Sequence, residues 1–573
     1  MDTRPSPTGI GDVADTDQLT HGHKTDDFND NFKNSLRGWG YTLFGGGVMA
    51  IAGFLFLMTV YRENMPLLAK VPACIFCAFI GYFPGFDKYA KGRGILAPRR
   101  ETTVTGSARM GTIKDLALDG LIGKAAADDQ NFWGGNHDGE EVYYSGERHV
   151  GIVGPSGYGK DTGYIFRWLK HLNRPMVIID AKGGEIASVM AKYREKFGPV
   201  ICINPYQTLT NSHSHLESVG FNLLSGINAD DDDFFSDLSD IAEAAVEDHG
   251  DAEHSFFVLN ARALILLCGM SVKWDEKKGI LGHEATINDL CKMIMLPHTS
   301  PDEEADTLQK RCMRLTTHPD EQVSLMAGSY IAENKTNHSI ITTAITALRN
   351  LTDKRVAADL RKHPTINGKP FDFGMLRDQV ITVFVIQPEN KIVKQAVWLR
   401  LMVASAINGI RKDIPSTKRP ILLINEAGNL GKLGSLEESM NMGRGKFQVA
   451  TIWQNLEQIK QSYGEKGLSN FVGGWGFRAY FACKDPFTAE YVSKACGSRT
   501  VYLRSYNAAS HLARTGQGDA AVGVALRLQD DLERMPPRKA IVWVEPFTRP
   551  LEVDVPCYDP RGLGNNPFYI NRK

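Results

Sequence analysis

The sequence predicts an α/β protein: a parallel sheet carrying a phosphate-binding loop, an all-helical block inserted in it, and a membrane-spanning helical hairpin ahead of it. Three observations predict this. After residue 100, short apolar runs rich in β-branched residues alternate with longer amphipathic stretches, as strands covered on both faces by helices do. One such run passes into "GPSGYGK", residues 154–160, a GxxxxGK loop between strand and helix. Two apolar runs, 38–61 without a charge and 66–86 broken only by Lys70, are each long enough to cross ~30 Å of hydrocarbon as a helix.

Residues 1–36, rich in Asp, Ser, Thr and Gly, read as a disordered cytoplasmic segment. The hairpin is expected over 37–87, its spans joined by the short linker "RENM". Lys33 and Arg37 precede the first span, and Lys88, Lys91, Arg93, Arg99 and Arg100 follow the second. Cations collect on the cytoplasmic side, so both termini and the main domains are expected there. Cys74 and Cys77, the only CxxC pair among nine cysteines, lie in the second apolar run and read as membrane packing, since no second pair completes a zinc site. His213 and His215 have only Ser and Asn about them and read as binding nothing.

A length of 573 residues implies more than one domain. The first part of the α/β domain is expected over 88–225, with strands "HVGIVG" (149–154), "PMVIID" (175–180) and "VICIN" (200–204). The helical insertion follows over 226–362; Asp230 to Asp233 open its first helix, as a solvated cap or as an acidic docking surface. The second part covers 363–573, with strands "VITVFVI" (380–386), "ILLIN" (421–425), "QVATIW" (448–453), "RAYFAC" (478–483) and "AIVWVE" (540–545). The net charge of −1 excludes a uniformly basic nucleic-acid coat and leaves DNA contact to a local strip or an assembled pore.

The loop Gly154-Pro155-Ser156-Gly157-Tyr158-Gly159-Lys160 points to ATP. Its glycines let backbone N–H groups converge on phosphate oxygens, the helix N-terminus adds positive potential, and Lys160 neutralises β/γ charge. "RPILLINEAGNLG" supplies the second half of such a site: an apolar strand, then Asn425 and Glu426. Glu426 is the group to orient or deprotonate the attacking water. Two residues depart from the usual pattern: Asp161 stands where a magnesium-binding hydroxyl is expected, and Asn425 where an aspartate is. Either Asp161 ligates Mg2+ with help from Thr162, restoring the charge lost at Asn425, or it pairs outward with a residue such as Arg167. Lys160 and Glu426 are expected at adjacent strand ends of one sheet. Asp180 and Lys182 follow the second strand near the same edge.

In chain order, GSAR (106–109), "HVGIVGPSGYGK", "IDAKGGE" (179–185), "FGPVICINPY" (197–206), "FNLL" (221–224), "INEAGNLG", "WQNLEQIKQSYG" (453–464) and "DPFTAEYVSKACGSRTV" (485–501) resemble the type IV secretion coupling proteins, the TraG-like conjugation ATPases. The resemblance implies a RecA-like nucleotide-binding domain, an all-α domain and a homo-hexamer around a channel. It implies ATP hydrolysis with Mg2+ at the bacterial inner membrane, and delivery of DNA–relaxase complexes or protein effectors to the secretion channel. By the same resemblance Arg444 is the arginine reaching a neighbouring subunit's γ-phosphate, and Gln454 the γ-phosphate sensor. From the residues alone Arg444 is a surface cation and Gln454 a backbone cap equally well. Two other readings stay open: a weakly hydrolysing substrate receptor, which Asn425 favours, and an FtsK-like double-stranded DNA pump, which has no C-terminal winged-helix module to support it here.

Overall fold

The computed structural model describes residues 106–248, 252–411, 418–442, 445–505 and 518–558. The segments expected at 1–36 and 37–87 lie outside them. The chain divides into two units. Of the first, the described residues are 106–107, 500–505 and 518–523, mainly parts of two strands that form a small sheet of their own, Ser498–Ser505 and Gly518–Ala525. Everything below concerns the second, which runs from Ala108 to Arg499 and resumes at Val524.

Its frame is an eleven-stranded sheet. In chain order the strands are β1 (Phe132–His137), β2 (Glu140–Tyr144), β3 (His149–Val153), β4 (Met176–Asp180), β5 (Val200–Ile203), β6 (Thr382–Ile386), β7 (Ile421–Ile424), β8 (Gln448–Trp453), β9 (Trp475–Tyr480), β10 (Lys539–Val544) and β11 (Leu551–Asp554). The spatial order is β2-β1-β11-β10-β9-β3-β8-β7-β4-β6-β5. From β9 to β5 all neighbours are parallel, whereas β10, β11, β1 and β2 extend the sheet antiparallel on the β9 side. The sheet is therefore mixed, not purely parallel. All eight expected runs form strands, but "RAYFAC" is displaced: β9 starts three residues earlier, at Trp475, and pairs Ala479 with Ile152. Hydrophobicity continues through Phe481-Ala482-Cys483, all buried, so the apolar run overshoots the strand.

Side chains alternate across the sheet with period two. On one face Ile152, Ile178, Phe384, Leu423 and Ile452 pack on Tyr164, Trp168, Ile186 and Met190. On the other, Val177, Ile179, Val383 and Val385 share one continuous core with Phe234, Leu238, Ile241, Leu264 and Leu267. Those last residues belong to helices Phe234–Ala245 and Ala252–Lys277, the start of a helical stretch that ends with helix Lys354–Asp359. Asp233 stands at the N-cap of the first helix without a side-chain bond, and Asp230 pairs with Lys277. Among the described residues one helical stretch, Ser255–Lys277, is long and apolar enough to cross a membrane; it is mostly buried in this core.

Candidate functional site

The phosphate-loop sequence does what its glycines require. After β3 the chain turns through Gly154–Gly159 into a single π-turn, Lys160–Ile165, and then helix Phe166–His171. Gly157 and Gly159 have φ of 83° and 96°, where a Cβ is penalised. Gly154 is small for another reason: a Cβ there would lie 2.5 Å from Cβ of Phe481. Ser156 and Gly157 form the exposed tip, flanked by half-buried Pro155 and Tyr158. The following helix is tied down from below, Tyr164 Oη donating to Gly134 O (3.1 Å) and Trp168 Nε1 to Trp133 O (2.8 Å). The loop itself is tied to the segment leading into β10, Arg538 N donating to Tyr158 O at 3.1 Å, and Thr162 O accepts from Tyr558 N at 2.9 Å. Lys160 is 3% exposed. Its Nζ donates to Gly154 O and, at 3.3 Å, to Trp453 O. Burial pulls this ammonium down to about 8, against the opposing charge of Glu426.

Three further strands deliver side chains to the same C-terminal edge, where parallel sheets bind their ligands. β7 is followed by Asn425 and Glu426, β8 by Gln454, and β4 ends in Asp180, with Ala181 and Lys182 next. Glu426 is 7% exposed and sits in the left-handed region, φ 59°, a strain concentrated at functional sites. Its Oε2 accepts from Gln454 Nε2 at 3.0 Å, and its Oε1 lies 3.0 Å from Lys182 Nζ. The same ammonium is 2.7 Å from Asp161 Oδ2. Burial pushes the Glu426 carboxyl up, but the charges of Lys182 and Lys160 outweigh it and hold the group below its ordinary value. Burial likewise lowers Lys182, and Asp161 and Glu426 more than reverse that.

Several expectations change here. Lys160 and Glu426 do not follow adjacent strands, because β8 lies between β3 and β7; the crossover that inserts β8 was invisible to pattern reading. Asp161 does not pair with Arg167, which bonds Glu141 at 3.0 Å and stacks on Trp133. Gln454 spends its side-chain amide on Glu426, not on the backbone. Lys182, left outside the expected site residues, is central to it. The signal that could have found it is the extra acid at Asp161, which needs a nearby cation. Arg444 lies outside the described residues. Asp180 is fully buried and accepts from Ala187 N at 3.0 Å, capping helix Glu185–Arg194, so its role is to hold the turn that carries Lys182.

Magnesium prefers hard oxygen donors, and the residues fit it. Asp161 Oδ1 and both polar atoms of Asn425 are buried with no partner among the described residues. Asp161 and Asn425 thus carry free oxygens of the kind such an ion takes, and its chemistry would be to neutralise phosphate charge.

Residues 109–558 match the family model described as Type IV secretory system Conjugative DNA transfer. The chain belongs to this family. Its curated relatives include the conjugal transfer protein TraG of Agrobacterium fabrum, 22% identical over 66% of this chain and 56% of its own length, and VirD4 of Rhizobium rhizogenes, 22% identical over 65% and 52%. The chain thus matches about half the length of these relatives. The solved bacterial conjugative coupling protein TrwB superposes with a TM-score of 0.56 at 18% identity, covering 78% of this chain and 92% of that one. TrwB in complex with ADP and Mg2+ gives 0.55 at 17% identity, over 78% and 94%. At these identities the likeness establishes the fold alone, a mixed α/β sheet.

Proposed function

We propose that this chain is a coupling ATPase: a membrane-anchored homo-hexamer that hydrolyses ATP and delivers DNA–relaxase complexes or protein effectors to a type IV secretion channel. One observation carries the reading. Lys160, Asp161, Asn425, Glu426 and Gln454, from three strand ends, meet around one glycine loop, the layout that phosphoryl transfer needs for positioning and charge stabilisation. Glu426, ionised and held between Gln454 and Lys182, orients the attacking water. Lys160 balances the triphosphate, and Gln454 reports its γ-phosphate to Glu426. Mg2+, held by Asp161, Thr162, Asn425 and Glu426, supplies charge neutralisation. Arg444 reaches the neighbouring subunit's nucleotide, and the hairpin over 37–87 anchors the protein in the inner membrane beside the channel's membrane components. Family membership and the names of the relatives, conjugal transfer protein and coupling protein, support the assignment of cargo.

A second reading is favoured by Asn425 and by the ion pair on Glu426: a nucleotide-binding substrate receptor that turns over slowly. DNA-stimulated phosphate release by the purified protein separates the two. The motor reading expects release that rises with single-stranded DNA and is lost in Lys160→Ala; DNA-independent release equal to that of Lys160→Ala leaves the receptor.

A further inference from the structure

We propose that Lys182 is a resident cation of the nucleotide site: it occupies the Asp161–Glu426 carboxylate pair when no nucleotide is bound, so that the pocket takes a divalent ion only together with a triphosphate. The inference rests on the nucleotide reading above and deepens it.

The geometry is that of one ammonium shared by two carboxylates from different elements. Asp161 comes from the turn after the phosphate loop and Glu426 from the end of β7, and Nζ of Lys182 is 2.7 Å and 3.0 Å from them. The Lys182 side chain is 19% exposed. Two carboxylates this close and this dry repel each other unless a cation stands between them. Here the chain provides that cation itself, in Lys182 Nζ. Charge balance points the same way. Lys160 and Lys182 already face three acids, Asp161, Glu426 and the buried Asp180, and Asn425 adds no charge. An aspartate at 425 would add a further fully buried carboxylate to a site already short of cations, so the amide and the extra lysine contact belong together.

A divalent ion arriving alone must displace a well-placed ammonium from both carboxylates, which leaves a cation half-buried without a partner. A triphosphate changes this, because it brings enough negative oxygen to receive the ammonium. Lysine suits that exchange: its charge is compact, its three donors rotate, and its stem is flexible. Its backbone is held from the neighbouring strand end, Gly183 N donating to Gln387 O at 2.9 Å and Gln387 N to Asp180 O at 3.1 Å. Only the side chain has to move.

The test measures Mn2+ binding to the full-length, detergent-solubilised protein by electron paramagnetic resonance, with and without a non-hydrolysable ATP analogue. The parent is expected to bind Mn2+ weakly alone and tightly with the analogue. Lys182→Met is expected to bind Mn2+ alone at least about tenfold tighter, the scale of one unit charge acting a few ångströms away near a protein surface. Asp161→Asn in the Lys182→Met background should return that affinity toward the parent's, and it also relieves the carboxylate repulsion should Lys182→Met fold poorly. Nucleotide-free Mn2+ affinity that is the same in parent and Lys182→Met, both showing native circular dichroism, overturns the proposal. Failure of the nucleotide reading looks different: parent and Lys160→Ala alike leave a fluorescent ATP analogue unbound, which overturns the conditional part as well.

Discussion

At the scale of single residues, the site works by holding charges in a defined order. Glu426 is kept ionised by two lysines despite its burial, and its strained φ aims it toward Gln454. Glu426→Gln removes the charge while keeping the shape. The expected outcome in steady-state phosphate release is a kcat lower by ~10²–10⁴, the range for a lost acid–base group, with nucleotide affinity nearly unchanged in equilibrium titration. The two departures from the usual motif make a second prediction. If Asp161 supplies the charge missing at Asn425, then Asp161→Ser and Asn425→Asp do not act independently. The double variant should hydrolyse ATP faster than the product of the single effects, by a coupling of ~0.5–3 kcal/mol; strict additivity would show the two sites to be unrelated.

At the scale of elements, the site depends on how strand ends meet helix starts. Asp180, the last residue of β4, caps helix Glu185–Arg194 through Ala187 N and binds Lys182 N. Complete burial raises its carboxyl to about 6, above the ordinary 3.8. The sign follows from linkage: between those pH values the folded protein holds a proton there that the unfolded chain has released. This contribution favours folding at low pH and is lost as pH rises through about 6, each tenfold difference in proton affinity being worth ~1.4 kcal/mol. Asp180→Asn does not titrate. Thermal melts of Asp180→Asn and parent should therefore diverge with pH, the variant gaining on the parent by up to ~3 kcal/mol between pH 4 and pH 8. A difference in Tm independent of pH would contradict the assignment.

At the scale of the whole molecule, the helical stretch and the sheet are one structure. They share a continuous apolar core, and a polar clamp joins the stretch to the turn just after Glu426. Arg400 Nε donates to Ala244 O at 2.9 Å, while Nη1 reaches Glu247 Oε2 at 2.9 Å and Leu430 O at 3.2 Å. Glu247 Oε1 accepts from Lys432 N at 2.7 Å. Gly431 within this turn has φ 69°, and a Cβ there would lie 2.2 Å from Glu247 Oε1. Arg400→Met removes the guanidinium that ties Ala244, Glu247 and Leu430 together and should cost on the order of 3 kcal/mol in urea unfolding. It should also lower kcat, because Glu426 loses the support of its own turn. Helical circular dichroism and the fluorescence of a variant that keeps only Trp453 of the eight tryptophans, buried at the end of β8, should lose signal at the same urea concentration. Separate transitions would mean that the two parts fold independently.

The sequence by itself determined the local elements and the chemical inventory. GxxxxGK after an apolar strand, Glu426 after another, and Gln454 after a third are short-range patterns, in which neighbours along the chain decide the outcome through backbone sterics and two-residue alternation. The antiparallel strands β1, β2 and β11 escaped because "FWGGNH" and "LEVD" are not uniformly apolar; an antiparallel strand need not carry the continuous apolar run that marks a buried parallel one. Only the tertiary structure decided which strand ends are neighbours and which cation answers which acid. Asp161, Lys182 and Glu426 come from three separate segments of the chain. Their meeting is fixed by strand crossovers and by the burial of the sheet's two faces, and those free energies depend on contacts across the whole fold: the acid at Asp161 asks for a cation, but nothing local to it says which one answers.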